Sequence, residues 1–141
     1  CGLDKSCRVW DIRGGGNKCS AAIATSGENI NVTWSPDGNT IAVGNREDVV
    51  SFIDARKLKV IKTSKFPFEV NEIEWDHTGK KFYVTTGLGT VEVLSFPKMS
   101  TLHTLQAHTA GCYCITFDPT GKHFAVGSAD ALVSLWDLSE S

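Results

Sequence analysis

The chain has 141 residues, 41% of them hydrophobic and 9% aromatic, with 14 Lys and Arg against 16 Asp and Glu for a formal net charge of −2. That apolar share is enough to build a core, which excludes intrinsic disorder, and the charge balance excludes a generic polybasic nucleic-acid binder. No run approaches the ~20 apolar residues of a membrane span, and no initiating Met, apolar leader or lipidation motif appears, so the composition predicts no membrane domain.

In chain order, Cys1 opens within a turn-and-strand pattern, which implies a segment of a longer protein. Val9-Trp10-Asp11 closes the first strand-like run. Gly14-Gly15-Gly16 follows, and it lacks the Lys-Ser/Thr that completes a phosphate cradle, so it reads as a flexible loop between a third and a fourth strand. Strands are expected after Asn29, after Gly38 (Asn39 to Val43), and over Val49 to Ile53. A fourth, outermost strand lies beyond each Trp-Asp-like pair. Pro36-Asp37-Gly38 and Pro119-Thr120-Gly121 place Pro to fix the first turn angle and Gly to take positive φ, as tight hairpin turns require. Asn45 to Asp48, Gly87 to Gly89 and Ser128 to Asp130 mark the next turn of each unit. No window carries a sustained apolar stripe at helical period, so about twelve short antiparallel strands and no appreciable helix are expected.

The chain repeats itself. Val32-Thr33-Trp34-Ser35-Pro36-Asp37-Gly38 returns as Ile73-Glu74-Trp75-Asp76-His77-Thr78-Gly79 and again as Ile115-Thr116-Phe117-Asp118-Pro119-Thr120-Gly121, with aromatics 41 and 42 residues apart. A second series runs in phase through Val9-Trp10-Asp11, Phe52-Ile53-Asp54, Val93-Leu94-Ser95 and Leu135-Trp136-Asp137, at spacings of 43, 41 and 42. Trp34, Trp75 and Phe117 are therefore expected in equivalent buried positions on inner strands. Residues 27–67, 68–106 and 107–141 read as successive repeats, with 1–26 holding the end of one unit and the start of the next.

Four-stranded units of roughly 40–45 residues ending in Trp-Asp resemble the blades of WD40 β-propellers. The fold class implied is all-β: a partial propeller of about three to three and a half blades. Such rings close with typically four to eight blades, most often seven in this family, so the remaining blades and the cover for the apolar flanks are expected from the rest of the chain. In the best WD40 blades a His, an Asp, a Ser or Thr and the Trp form a hydrogen-bonded tetrad. Carried over, those roles fall on His108, Asp130 and Trp136, with the hydroxyl position on Val126 and Ser128 nearby but out of phase. Asp4 and Trp10 survive in the first unit. The units ending at Ile53 and Leu94 have lost the Trp, so their packing is expected to rest on apolar contacts.

Several stretches are further similar to the family of the third subunit of the nuclear THO complex. These are Gly27-Glu28-Asn29-Ile30-Asn31 leading into Trp34-Ser35-Pro36-Asp37-Gly38, then Thr40 to Asn45 and Asp48-Val49-Val50. Phe68-Glu69-Val70-Asn71-Glu72-Ile73 before Trp75 and Gly127 to Asp137 complete the set. The resemblance implies a non-catalytic nuclear scaffold that couples transcription to mRNA packaging and export. Its partners would be other THO/TREX subunits, with mRNA engaged indirectly and no small-molecule substrate or cofactor. The alternative is a substrate-recognition propeller, serving a ubiquitin ligase or reading a modified peptide.

No catalytic constellation stands beside these signals. His77 falls in a turn and His103 and His123 on strands, and nothing pairs an activated Ser or Cys with a base. Five cysteines (Cys1, Cys7, Cys19, Cys112 and Cys114) form an odd set that points to a reducing compartment, cytosol or nucleus. Cys112 and Cys114, spaced C-x-C, are expected to share one strand face as buried, inert thiols and not to bind metal. The one charge cluster, Arg56, Lys57, Lys59, Lys62 and Lys65, starts after a third strand and continues into the outermost one. It reads as a solvated edge that blocks strand addition, or as a contact for RNA or an acidic partner; Leu58, Val60 and Ile61 within it are expected to pack on the neighbouring strand.

Overall fold

In the computed structural model, which describes residues 1–14 and 18–138, β-branched and aromatic runs alternate with turn residues and form thirteen strands. Two fall in a first sheet, β1 (Ser6–Trp10) and β2 (Cys19–Ala24). The second sheet holds β3 (Asn29–Trp34), β4 (Thr40–Asn45), β5 (Val49–Asp54) and β6 (Lys59–Lys65). The third holds β7 (Val70–Trp75), β8 (Lys81–Thr86), β9 (Thr90–Ser95) and β10 (Thr101–Gln106). The last contains β11 (Cys112–Phe117), β12 (His123–Ser128) and β13 (Val133–Asp137). Every pairing is antiparallel between consecutive strands, so each sheet is a simple meander. A single 3-10 turn at Ile12–Gly14 is the helical exception among the described residues, and Gly15 and Gly16 of the expected loop lie outside them.

The sheets stack face to face through β3, β7 and β11, the first strand of each meander. Their apolar faces bury one core between the second and third sheets (Ala42, Val50, Phe52, Ile73, Trp75 and Phe82 among others) and another between the third and last. Polar side chains cross the same seam. Asn31 Nδ2 donates to the Asn71 carbonyl at 2.7 Å, Asn71 Nδ2 to the Cys112 carbonyl at 2.8 Å, and Thr33 Oγ1 to Glu74 Oε1 at 2.6 Å. Glu72 Oε2 accepts the Ile115 N–H at 2.8 Å.

The two faces of the stack are set by the meanders. Turns after the first and third strands share one face, where the turn glycines Gly38, Gly79 and Gly121 take φ of 72°, 72° and 70°, a region that glycine enters without steric cost. Consecutive turns there touch: a Cβ at Gly79 would lie 3.5 Å from Pro36, and one at Gly121 would collide with His77. Turns after the second and fourth strands share the opposite face.

Four expectations are corrected. Trp34 is 52% exposed, whereas Trp75 is 4% exposed and Phe117 is half-buried. Trp75 and Phe117 each lie against an aromatic of the preceding sheet or its own, but the first sheet has only β1 and β2 to offer Trp34. Cys112 and Cys114 do not share a face: a bulge at Tyr113 breaks the alternation, burying Cys112 and exposing Cys114. Leu58 takes positive φ in a turn and is exposed, and Ile61 is exposed on the open side of β6, so only Val60 packs inward. The hydroxyl of the tetrad is not at Val126, as the site's geometry shows.

Candidate functional site

The most organised polar cluster is built on the last sheet. Ala107 N and His108 N both donate to the Gly89 carbonyl, at 3.1 and 3.0 Å, and this fixes the loop that carries His108. Gly89 stands at φ 83° with its α-carbon so close that a Cβ would meet the His108 carbonyl oxygen at 2.4 Å, so only glycine fits. The imidazole is thereby pressed into the sheet, with the side chain 2% exposed. Its Nδ1 lies 2.9 Å from Asp130 Oδ2 and its Nε2 2.9 Å from Ser134 Oγ. Trp136 Nε1 donates to the same Ser134 oxygen at 2.8 Å.

These contacts fix the direction of the chain of donors. The carboxylate selects the Nδ1–H tautomer, Nε2 accepts from the Ser134 hydroxyl, and that hydroxyl accepts from the indole. All of them point toward Asp130. Burial works against its carboxylate, but the Leu132 N–H at 2.9 Å, His108 and the Thr109 N–H at 3.3 Å hold its pKa below the ordinary value. Ser128 Oγ bonds the carbonyls of Ala110 and Gly111, at 3.1 and 3.0 Å, and receives Asp130 N–H, so it shapes the turn and does not join the relay.

Ser134 is the residue that the sequence reading missed. It pairs with Val126 across the β12–β13 ladder, so the expected position was displaced by one strand. The signal was present: Ser134 and Trp136 are two residues apart on one strand, and alternation puts both side chains on the same face. Val126 supplies only its carbonyl oxygen, 3.2 Å from Nε2. In the first sheet Asp4 instead accepts from Ser6 Oγ at 2.7 Å and pairs with Arg8, while Trp10 is exposed.

The basic residues divide. Arg56 and Lys57 cap the β5–β6 turn, their backbone N–H groups donating to Asp54 Oδ1 at 2.9 and 2.8 Å. Lys59 is exposed at the start of β6, Lys62 donates to the Pro97 carbonyl of the third sheet, and Lys65 to the Glu47 carbonyl of its own. Two of the five basic side chains, Lys62 and Lys65, thus fasten the outer strand, and the fold does not gather all five into one patch. All five cysteines are free thiols, and burial raises the pKa of Cys112. No cluster of three or more metal-ligating side chains occurs among the described residues.

The meander sheets, the stacking through first strands and the His–Asp–Ser–Trp cluster define a WD40-repeat protein whose sheets are blades of a partial β-propeller. Residues 99–137, which contain the whole cluster, match the family model "WD domain, G-beta repeat". Over 137 residues the chain is 59% identical to "THO complex subunit 3" of Arabidopsis thaliana, covering 97% of this chain and 43% of that protein. It is 42% identical to "WD repeat-containing protein AAC3" of Dictyostelium discoideum over 145 residues, 99% of this chain and 30% of that one. It is also 30% identical to the "Serine-threonine kinase receptor-associated protein" of Dictyostelium discoideum over 92% of this chain and 43% of that one. The chain therefore spans less than half the length of these relatives.

Proposed function

We propose that this chain is part of a non-catalytic WD40 scaffold subunit of a nuclear THO-type complex, one that couples transcription to mRNA packaging and export through protein contacts. The similarity to THO complex subunit 3 carries this reading, because it runs through nearly the whole chain at 59% identity, against 42% to AAC3 and 30% to the serine-threonine kinase receptor-associated protein. Within it, residues 27–67, 68–106 and 107–141 are successive WD repeats, and His108, Asp130 and Trp136, joined by Ser134, lock the last one. A rigid blade stack presents turns on two faces and strand edges at its rim, which suits the joining of several partners. mRNA is engaged through other THO/TREX subunits, in keeping with the near-neutral charge.

The test is affinity purification of the tagged full-length protein from nuclear extract, followed by mass spectrometry. Stoichiometric recovery with the other THO/TREX subunits is expected. Recovery with a cullin-type ligase instead would favour a substrate-recognition propeller. RNA binding by the isolated full-length protein should be weak; tight binding abolished by neutralising Arg56, Lys57, Lys59, Lys62 and Lys65 would replace the scaffold reading with direct RNA contact.

A further inference from the structure

The outer strands repeat one irregularity. In each of β2, β6 and β10 a single residue bulges from the ladder: Ser20, Ile61 and Leu102, 41 residues apart. Ile61 is 52% exposed and Leu102 44%. The sheets stack through their first strands, so the outer strands lie farthest from that seam, and a further blade stacked in the same way leaves them open. β6 has an outer strand on either side of it, because β1 and β2 repeat the phase of β5 and β6 and the third sheet has all four strands. The exposure of Ile61 is therefore a property of the rim and not of a missing neighbour.

Charge is unevenly spread along this rim. No Asp or Glu occurs in residues 18–24, 55–65 or 96–106, although the chain carries 16 of them. β10 holds no Lys or Arg, whereas β6 and its leading turn hold Arg56, Lys57, Lys59, Lys62 and Lys65. Lys65 bonds the Glu47 carbonyl and stands beside the Glu47–Asp48 turn, where its charge is matched. At the other end Lys62 bonds the Pro97 carbonyl, which brings the exposed Lys98 alongside. Against these cations stand Asp54, which accepts the Arg56 and Lys57 N–H groups, and Asp37 of the β3–β4 turn. Arg56, Lys57, Lys59, Lys62 and Lys98 outnumber those two carboxylates, and none of the five forms a salt bridge with a described residue. β6 also pairs with β5 alone, so its other edge offers backbone N–H and C=O groups to a further strand. Lysines on such an edge repel a second copy of it and attract an acidic one.

We propose that the open edge of β6 takes up an acidic, extended segment of a protein partner as a fifth strand, with carboxylates at Arg56, Lys57, Lys59 and Lys98 and an apolar side chain on Ile61. Complementary charge selects an anion. The open ladder and the aliphatic Ile61 select a peptide over RNA, because phosphates cannot extend a ladder and bases need exposed rings to stack on. The one aromatic residue in the three outer segments, Phe96, is packed against the core with its ring 4.5 Å from that of Trp75. The inference goes beyond membership of a THO-type complex: it is read on the isolated protein with synthetic probes, so it stands or falls apart from co-purification.

The experiment uses the full-length protein and fluorescence anisotropy at physiological salt. The first probe is a short labelled peptide alternating Glu with Val. Its companions are the same peptide with every backbone N–H methylated, a Ser-for-Val counterpart, and a uridine oligonucleotide of equal charge. The Glu–Val peptide should bind about tenfold more tightly than the methylated one, which cannot complete a ladder, and about threefold more tightly than the Ser counterpart. Arg56→Gln/Lys57→Gln/Lys59→Gln should weaken its binding about tenfold, whereas Lys5→Gln/Lys81→Gln/Lys122→Gln, away from β6, should change it by less than about twofold. Ile61→Ser should weaken it about threefold and Leu102→Ser by less than about twofold. Should the first triple variant fail to fold, Lys59→Gln alone, at an exposed side chain, should weaken binding about threefold. No binding, equal binding of the methylated peptide, equal loss in both triple variants, or full binding by Ile61→Ser would each overturn the proposal. Oligonucleotide binding that depends on Arg56, Lys57 and Lys59 would overturn it in favour of a phosphate-binding rim.

Discussion

The last two sheets share a ladder and a register yet are locked by different physics. Ser134 pairs with Val126 on β12, and one repeat upstream Glu92 pairs with Val84 on β8. In the last sheet that position belongs to a relay running Trp136, Ser134, His108, Asp130. In the third sheet the places of His108, Asp130, Ser134 and Trp136 are taken by Phe66, Leu88, Glu92 and Leu94. Glu92 accepts from Thr104 Oγ1 at 2.7 Å and Thr90 Oγ1 at 3.1 Å within its own sheet, so no loop is tied. The stabilising mass lies in rings instead. Trp75 sits 4.5, 4.9 and 6.1 Å (centroid to centroid) from Phe96, Phe82 and Phe52, all edge-on. A directional relay positions a loop, while an aromatic cluster supplies bulk stability without directing anything.

The sharpest way to break this contrast is to remove the largest ring. Trp75→Ala leaves a void among three phenyl rings that cannot collapse fully, and should cost about 3–5 kcal/mol in denaturant unfolding of the full-length protein. The indole Nε1 of Trp75 has no hydrogen-bond partner among the described residues, so Trp75→Phe should recover much of that loss by removing a buried unpaired donor. Should Trp75→Ala cost less than the polar substitutions below, the division between the two sheets would be wrong.

His108→Ala attacks the relay itself. It leaves the Ser134 hydroxyl and the Asp130 carboxylate without their central partner, and should cost about 1–3 kcal/mol. Hydrogen exchange should rise first at Ala107 and His108, whose N–H groups bond Gly89, and not at Trp75. Uniform loss of protection through both sheets would show that the relay stabilises globally.

The relay also has a pH signature that the aromatic cluster lacks. Asp130 has a folded pKa below its ordinary value of 3.8, so its contribution is fully present above 3.8 and is lost as pH falls through the lower folded value. Melting temperature against pH should therefore drop on the acid side below pH 3.8, and Asp130→Asn should flatten part of that drop while lowering stability at pH 7. Asp118, held low chiefly by the Thr120 hydroxyl and then by the His123 N–H, contributes to the same limb and remains in both proteins. An unchanged acid limb in Asp130→Asn would show that the carboxylate is not stabilised by its donors.

Much of this was legible in the sequence, for identifiable reasons. The turns were readable because Pro36, Gly38, Gly79 and Gly121 have backbone requirements of their own, and the strands because β-branched runs sit between them. His108, Asp130 and Trp136 could be carried over because a fixed period preserves phase. What failed depended on tertiary neighbours. Trp34 holds the same repeat position as Trp75, and no local signal reports which side chains stand across from it. The bulge at Tyr113 that separates Cys112 from Cys114 is set by pairing with Ser128 and Gly127.

The smallest expected effect lies where the two sheets meet. Glu72 on β7 accepts the Ile115 N–H of β11 at 2.8 Å, joining the aromatic sheet to the relay sheet. Desolvation raises its pKa above the ordinary 4.5, with the neighbouring Glu74 adding to the rise and the Ile115 N–H opposing it. The folded state therefore binds this proton more tightly than the unfolded chain. Stability falls as pH climbs from 4.5 through the folded value, and the ionised carboxylate is a liability at neutral pH. Glu72→Gln keeps an oxygen that accepts the Ile115 N–H and discards the charge. Thermal unfolding should find the two proteins equal at pH 4 and the Gln variant more stable at pH 7 by less than about 1 kcal/mol, since Glu72 is only half-buried. A Gln variant less stable at pH 7 would mean that the charge-assisted bond to Ile115 outweighs desolvation. The seam would then owe its strength to the carboxylate, and the two sheets would be joined by the same directional chemistry that locks the last one.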